Sequence, residues 1–172
     1  MQKNLKIKQK CKKIKLLLTD VDGVLTDGGR YYSKEGEVLK KFHVRDGMGV
    51  NILLRNNIRT VILTKEKSMI TKKWAKDMNI SQVYSGFTKK ELALTQICKK
   101  YKVSLKEIAF IGDDVNDLEV LKKVAFSAVP NDAVIQVKKI ADYICKASGG
   151  KGCFREISDL ILLSKFSHKT SY

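Results

Sequence analysis

The sequence predicts an α/β fold, a Rossmann-like parallel sheet with helices on both faces. Short aliphatic runs bounded by polar residues recur along the chain, and each is typical of a buried strand. These runs alternate with longer amphipathic stretches, a pattern typical of βαβ units. At 172 residues, the chain is expected to form a single domain over residues 1–172.

The elements before residue 57 are a strand, a hairpin and a helix. Residues 13–19 form the first aliphatic run and predict a buried strand. Residues 30–44 predict a small β-hairpin, because apolar and polar residues partly alternate in its second arm. A helix over 46–56 follows, with Asp46 as its expected N-cap.

The rest of the chain repeats strand and helix. The predicted strands are residues 60–64, 82–84, 107–111, 125–129 and 142–144. The predicted helices are residues 67–78, 89–101, 114–123, 133–140 and 153–163, and the tail 165–172 is expected to fray. Sheets of this kind bind ligands at the carboxyl ends of their strands. Polar residues directly after the strands are therefore the candidates for chemistry.

The composition is strongly basic, with 34 Lys and Arg against 18 Asp and Glu. Nucleic acid is one possible partner, but the lysines are spread along the chain and are not interleaved with aromatic residues. We favour a basic background around an anion-binding site. No run approaches the roughly 18 apolar residues of a membrane span, and the four cysteines form no CxxC pair. We therefore expect a cytoplasmic protein with reduced thiols and neither membrane nor nucleic acid as a partner.

Polar residues follow four of the predicted strands. Asp20 and Asp22 follow the first strand, and Thr64 ends the strand VILT. Lys90 begins the helix after QVY, and GDDVND at 112–117 follows the strand EIAFI. Each alone has a structural alternative, such as a turn, a helix cap or a solvated lysine. Their succession along one βαβ array indicates a functional site.

The four motifs resemble those of the haloacid dehalogenase superfamily: DVDGV, a strand-terminal threonine, a lysine and GDDVND. The longer succession DVDGVLTDG, FHVRDGMG, IGDDVNDL and GGKGCFRE resembles the 3-deoxy-D-manno-octulosonate 8-phosphate phosphatase-like family. Near relatives in that family act on nine-carbon ulosonate 9-phosphates. The resemblance spans residues 13–163. It implies a compact sugar phosphatase without a large cap domain, acting in bacterial lipopolysaccharide synthesis.

The resemblance implies hydrolysis in two steps through an aspartyl-phosphate. Asp20 would be the nucleophile. Asp22 would protonate the leaving alkoxide and then take a proton from the attacking water. Lys90 and the hydroxyl of Thr64 would hold the phosphoryl oxygens.

A divalent cation is also implied, because Asp20 must stay ionised while it faces a phosphate. Oxygen ligands favour Mg²⁺. The family pattern assigns Asp20, the backbone carbonyl of Asp22 and Asp113 as its protein ligands. Asp117 would orient Lys90 or a metal-bound water, and Asp114 is also expected beside the metal.

Three residues are expected to face the substrate. Arg45 follows the hairpin, which in the resembled family takes part in a homotetramer with its active site at a subunit boundary. Arg45 is thus a candidate for binding the substrate carboxylate, with a surface salt bridge as the alternative. Lys65 and Glu66 replace the usual Gly and Arg after the second motif. An acidic residue there is typical of the nine-carbon phosphatases, whereas FHVRDG is typical of the octulosonate group, which we prefer.

Other interpretations stay open. His43 is either a catalytic base or a structural histidine of the hairpin. GGKG at 149–152 is either a mobile loop near the site or a plain link to the last helix. The whole chain has two alternatives from other classes: a nucleic-acid-binding protein, suggested by its charge, and a non-catalytic scaffold whose site is degraded at Lys65 and Glu66.

Overall fold

Strands and helices alternate along residues 2–166, the part of the chain that the computed structural model describes. The strands are β1 (Leu16–Thr19), β2 (Tyr31–Ser33), β3 (Gly36–Leu39), β4 (Arg59–Thr64), β5 (Gln82–Ser85), β6 (Ile108–Ile111), β7 (Phe126–Val129) and β8 (Tyr143–Ile144). The helices are α1 (Gln2–Lys12), α2 (Val44–Arg55), α3 (Met69–Asp77), α4 (Ala93–Tyr101), α5 (Leu118–Lys123), α6 (Ile135–Lys138) and α7 (Cys153–Phe166).

Six strands form one parallel sheet in the order β5-β4-β1-β6-β7-β8, and β2 and β3 form a separate antiparallel hairpin. From β1 the chain moves outward through β4 to β5 and then returns to the other side of β1 at β6. The strand order therefore switches between β1 and β6. Thr19 at the end of β1 is in register with Ile111 at the end of β6. The predicted α/β fold is confirmed, and its expected ligand-binding edge lies at these two strand ends.

The core has one hydrophobic layer on each face of the sheet. Leu17 of β1 points to the layer that also holds Phe154 of α7, and its neighbour Leu18 points to the layer that holds Ile97 of α4. Successive side chains of a strand alternate between faces, so an entirely apolar strand such as β1 serves both layers. Each fully buried side chain of this size contributes about 1.5–3 kcal/mol to stability.

Helix α1 was not predicted, and it shortens the predicted strand 13–19 to Leu16–Thr19. Its sequence, QKNLKIKQKCK, has few apolar residues and no acidic residue in its first turn. Only Ile7 and Cys11, one turn apart, are buried among the residues of α1 whose side chains are described. This narrow apolar stripe carries too weak a periodic signal to predict a helix.

The second arm of the hairpin ends at Leu39 rather than at residue 44, and α2 begins at Val44. The prediction that Asp46 is the N-cap of α2 is wrong. That position belongs to His43, whose Nδ1 accepts a hydrogen bond from the Arg45 N–H at 3.3 Å. Asp46 is fully buried in the first turn of α2 and accepts the N–H of Arg155 at 2.8 Å. It therefore caps the first turn of α7, a partner that only the tertiary structure brings to it.

The other boundaries differ from prediction by a few residues. The predicted helices at 89–101 and 114–123 begin as 3-10 turns at Lys90–Leu92 and Val115–Asp117. Residues 165 and 166, predicted to fray, continue α7, and the Nζ of Lys165 donates to the carbonyl of Ile14 at 2.8 Å. The rest of the predicted tail, 167–172, lies outside the described residues. Within the described part of the chain, no helix is both long and apolar enough to cross a bilayer.

Candidate active site

A pocket opens at the carboxyl edge of the sheet, at the ends of β1, β4 and β6. Its lining residues are Asp20, Asp22, Arg30, Thr64, Lys65, Glu66, Asp113, Asp114 and Asn116. Seven of these nine are residues that the sequence singled out. The loops after three different strands thus deliver their polar side chains to one place.

Lys90 is fully buried and contacts Asp20 of the pocket lining. Its Nζ donates to Oδ2 of Asp20 at 2.5 Å and to Oδ1 of Asp117 at 2.7 Å. Burial by itself lowers the pKa of Lys90, but the charges of Asp20 and Asp117 more than offset it, so the pKa is raised. Lys90 therefore keeps its positive charge at the point where two strand-end carboxylates meet.

The carboxylates outnumber the cations at this rim. Asp20, Asp113 and Asp117 each offer an oxygen, and these atoms all lie within 4.8 Å of one another. Burial and the charge of Asp117 raise the pKa of Asp20 to about 6, against the opposing effect of Lys90. Burial and the charges of Asp20 and Asp117 raise the pKa of Asp113 to about 8. A divalent cation at this rim would favour the charged form of both carboxylates and so oppose these shifts.

Both oxygens of Asp20 and both oxygens of Asp117 accept hydrogen bonds, but Asp117 is fully buried. Oδ1 of Asp117 accepts from Lys90, and Oδ2 accepts the N–H of Asp113 at 2.9 Å and that of Asp114 at 3.4 Å. Asp20 and Asp113 line the pocket, whereas Asp117 does not. The arrangement favours Asp20 and Asp113 as metal ligands and Asp117 as the residue that orients Lys90. Asp114 is exposed and accepts its own neighbour's N–H, from Val115, at 2.7 Å.

Two glycines let the carboxylates approach the backbone. Gly23 has a φ of +84°, and a Cβ there would lie 2.0 Å from Oδ2 of Asp113. A Cβ at Gly112 would lie 2.4 Å from Oδ2 of Asp117. Neither position accepts a side chain without moving a carboxylate. The residues thus form a fitted cradle of oxygen atoms, which suits a hard cation such as Mg²⁺.

The GGKG segment lies directly against the loop that carries Asp22. The N–H of Gly150 donates to the carbonyl of Val24 at 2.9 Å. A Cβ on Gly149 would lie 2.1 Å from the carbonyl oxygen of Gly23. The paired glycines allow two backbone segments to touch, so the segment before α7 supports the loop after β1.

The carboxyl end of β4 supplies a hydroxyl group and two charged side chains. Thr64 is buried at the end of β4, and its Oγ1 accepts the N–H of Glu66 at 3.3 Å, which leaves the hydroxyl proton free to donate. Lys65 is exposed, and Oε2 of Glu66 lies 3.4 Å from a guanidinium nitrogen of Arg30. The end of β4 therefore adds a hydroxyl donor and charged groups of both signs to the pocket.

Sequence reasoning missed Arg30, Asn116 and Lys40. Arg30 follows the turn at 27–29, and its closeness in sequence to Asp22 was the available signal. Asn116 lies inside GDDVND. Lys40 gave no signal, because nothing distinguishes it in sequence from its neighbour Lys41; its buried ammonium contacts Asp22.

Two residues of FHVRDG lie apart from the pocket lining. His43 caps α2, which gives the structural interpretation of this residue a specific contact. Arg45 is exposed in the first turn of α2. Its binding to a substrate carboxylate stays a prediction.

Comparison with known proteins agrees with this geometry. The sequence model of the haloacid dehalogenase-like hydrolases matches residues 56–157. The 3-deoxy-D-manno-octulosonate 8-phosphate phosphatase of Haemophilus influenzae is 40% identical over 156 residues, which are 91% of this chain and 87% of that protein. The phosphatase of the same name from Escherichia coli K12 is 36% identical, over 91% of this chain and 83% of its own.

Solved structures give the same relationship. The fold is similar to that of the Moraxella catarrhalis 3-deoxy-D-manno-octulosonate 8-phosphate phosphatase in complex with magnesium, phosphate and KDO. The TM-score is 0.89 and the identity 38%, over 92% of this chain and 91% of that one. The cobalt-bound Haemophilus influenzae enzyme gives a TM-score of 0.89 at 40% identity, over 91% of this chain and 92% of that one. The chain belongs to the haloacid dehalogenase-like hydrolases and, within them, to the octulosonate 8-phosphate phosphatase group.

Proposed function

We propose that this chain is a Mg²⁺-dependent phosphatase that hydrolyses 3-deoxy-D-manno-octulosonate 8-phosphate to the free sugar acid and phosphate. The observation that carries the proposal is the buried contact of Lys90 with Asp20 and Asp117 beside Asp113. A buried ammonium between carboxylates at the switch point of a parallel sheet suits a phosphoryl group that binds together with a divalent cation. The similarity to phosphatases of this name over most of the chain supports the substrate.

The proposed reaction has two displacements. In the first, a carboxylate oxygen of Asp20 bonds to phosphorus, the bond from phosphorus to the sugar oxygen breaks, and Asp22 gives its proton to that oxygen. In the second, a water oxygen bonds to phosphorus, the Asp20–phosphorus bond breaks, and Asp22 takes a proton from the water. Lys90 and the hydroxyl of Thr64 hold the phosphoryl oxygens in both steps.

Asp20, Asp113 and the backbone carbonyl of Asp22 would hold the cation. Bound there, Mg²⁺ would offset the charges of the carboxylates and of the phosphoryl group. Asp117 keeps Lys90 in place, and Asp114 lies at the edge of the same cluster.

A nine-carbon, sialic-acid-type 9-phosphate is the alternative substrate, and one observation favours it. Glu66 lines the pocket, and the resembled octulosonate enzymes usually have arginine at that position. Lys65 and Arg45 are the other residues proposed to face the substrate. The negative charge of Glu66 is partly offset by Arg30 at 3.4 Å, so Glu66 does not prevent an anionic eight-carbon acid from binding.

We also propose a cytoplasmic homotetramer assembled through the hairpin. Tyr31 and Leu39 are paired across the hairpin, and about half of the surface of each, and of Tyr32 and Val38, is exposed. Exposed apolar side chains gathered on one small element are typical of protein interfaces. Cys11, Cys98, Cys145 and Cys153 are free thiols, consistent with a reducing compartment.

Phosphate release from the eight-carbon and nine-carbon sugar phosphates, with Mg²⁺ and with chelator, tests the function. We expect turnover of the eight-carbon compound that chelator abolishes. Asp20→Asn should reduce it by at least about 1000-fold, because the nucleophile is lost. Glu66→Arg should shift preference further toward the eight-carbon compound.

The thermal midpoint gives a readout independent of activity. Mg²⁺ should raise the midpoint of the wild type and should not raise that of Asp113→Asn, since binding to the folded state stabilises it. Turnover that is unchanged in Asp20→Asn, or that survives chelator, would contradict the mechanism. A protein that binds DNA in a salt-dependent way without phosphatase activity would favour the nucleic-acid alternative instead.

A further inference from the structure

We propose that Lys40 is a positioning residue for Asp22, the residue assigned above to proton transfer. Among residues 4–166, Lys40 and Lys90 are the only buried lysines. Lys90 belongs to the phosphate site, whereas the mechanism gives Lys40 no role. A buried ammonium is costly unless it is paired, so its partners indicate what it does.

The Nζ of Lys40 contacts two carboxylates. It donates to Oδ1 of Asp22 and lies 3.1 Å from Oε1 of Glu37. The side chain of Lys40 is fully excluded from solvent, whereas that of Asp22 is 22% exposed. Lys40 therefore holds Asp22 from its buried side, while Asp22 also lines the pocket.

Glu37 fixes Lys40 in turn. Its Oε2 accepts a hydrogen bond from the hydroxyl of Ser68 at 2.5 Å, and Ser68 is the N-cap of α3. Contacts thus run from Ser68 through Glu37 and Lys40 to Asp22, and they join α3, the hairpin and the loop after β1. A lysine held in this way has few rotamers left, so the Asp22 carboxylate is confined as well.

The other oxygen of Asp22 is the one available for chemistry. Oδ2 of Asp22 is buried and has no hydrogen-bond partner among the described residues, although Asp22 lines the pocket. Leaving a buried carboxylate oxygen unpaired is costly, which indicates that a ligand atom belongs beside it. By occupying Oδ1, Lys40 selects Oδ2 to face the leaving-group oxygen.

The inference rests on the proposed phosphatase function, and the dependence of kcat/KM on the leaving group tests it. A sugar alkoxide needs a proton to leave, whereas nitrophenolate leaves without one. The ratio kcat/KM depends only on the steps up to and including departure of the leaving group. The later hydrolysis of the aspartyl-phosphate therefore does not affect it. For Lys40→Met we expect kcat/KM to fall about 100-fold with the eight-carbon sugar phosphate. With p-nitrophenyl phosphate the fall should be less than about 3-fold.

Lys41→Met is the matched control, because it makes the same change at a neighbouring lysine whose side chain is 55% exposed. It should leave both ratios within about 2-fold of the wild type. Glu37→Gln loosens Lys40 without removing it and should give the same selective loss, of about 10-fold. If Lys40→Met does not fold, Glu37→Gln still tests the positioning role of Lys40. Equal losses with both substrates, or no loss, would overturn the positioning role. Wild-type inactivity on both would instead refute the phosphatase function.

Discussion

Lysine has opposite roles at the two edges of the sheet. At the carboxyl edge, Lys90 is fully buried between two carboxylates. At the amino edge, Lys15, Arg59, Lys100 and Lys102 line an exposed groove, which we call the basic edge. The ion pair there between Lys15 and Glu107 has a lysine side chain that is 59% exposed.

The difference lies in solvation rather than in the number of charges. An exposed ion pair contributes about 0–1 kcal/mol, because water and salt screen it. Removing one partner of a buried pair costs about 3–5 kcal/mol, because the other charge is left buried and unpaired. The proposed function therefore depends on a few buried charges, although the net charge of the chain is +16.

The largest expected effect comes from Lys90→Met. It should lower kcat/KM at least about 1000-fold, because the phosphoryl oxygens lose a fixed cation in a buried site. It should also lower the free energy of unfolding by about 3–5 kcal/mol, since Asp20 and Asp117 lose their partner. Steady-state kinetics and denaturant unfolding measure the two effects.

The matched control is Lys89→Met, one residue away and exposed. It should leave both quantities close to those of the wild type. Comparable losses in the two variants would show that burial does not distinguish the two lysines, and the contrast between the edges would fail.

Asp46 is a buried carboxylate that accepts backbone N–H groups instead of pairing with a cation. Burial raises its pKa to about 6 from an ordinary value of 3.8, against the hydrogen bonds from Arg155 and Gly152. The folded state thus holds a proton that the unfolded state releases between these two pH values. Stability from this group is present at low pH and is lost as the pH rises through about 6.

Asp46→Asn removes this titration and keeps an oxygen that can accept the Arg155 N–H. Between pH 4 and pH 7, the wild type should lose about 2 kcal/mol of unfolding free energy relative to the variant. Urea unfolding of both proteins at several pH values measures the difference, and the shared contribution of the rim carboxylates cancels in it. Parallel pH profiles would contradict the raised pKa.

The smallest effect is expected at the basic edge, from the double change Arg59→Gln and Lys100→Gln. Arg59 and Thr64 are opposite ends of β4, roughly 16 Å apart at about 3.3 Å per residue. This exceeds the Debye length of about 8 Å at physiological salt, so kcat/KM should change less than about 2-fold. A larger change at that ionic strength would mean that the basic edge takes part in function, and binding to single-stranded DNA or RNA would then be measured in the same variant.

Several features of the fold and site could be predicted because their signal is local. Apolar runs such as that of β1 mark strands buried on both faces, and the residues following them must lie at one edge of a parallel sheet. That constraint alone brought Asp20, Thr64 and the GDDVND segment together before any coordinates. Helix α1 was not predicted because its buried stripe consists of Ile7 and Cys11 among lysines and asparagine. The burial of this stripe depends on packing against α7.

Local sequence patterns were enough to predict the strand-and-helix order, the polar residues at the strand ends and the family to which they belong. Tertiary structure alone decided which of many lysines are buried, that His43 and Asp46 begin different helices, and that Lys40 contacts Asp22. The physical reason is that a residue's charge and size are encoded locally, whereas its burial and its partners depend on segments distant in the chain.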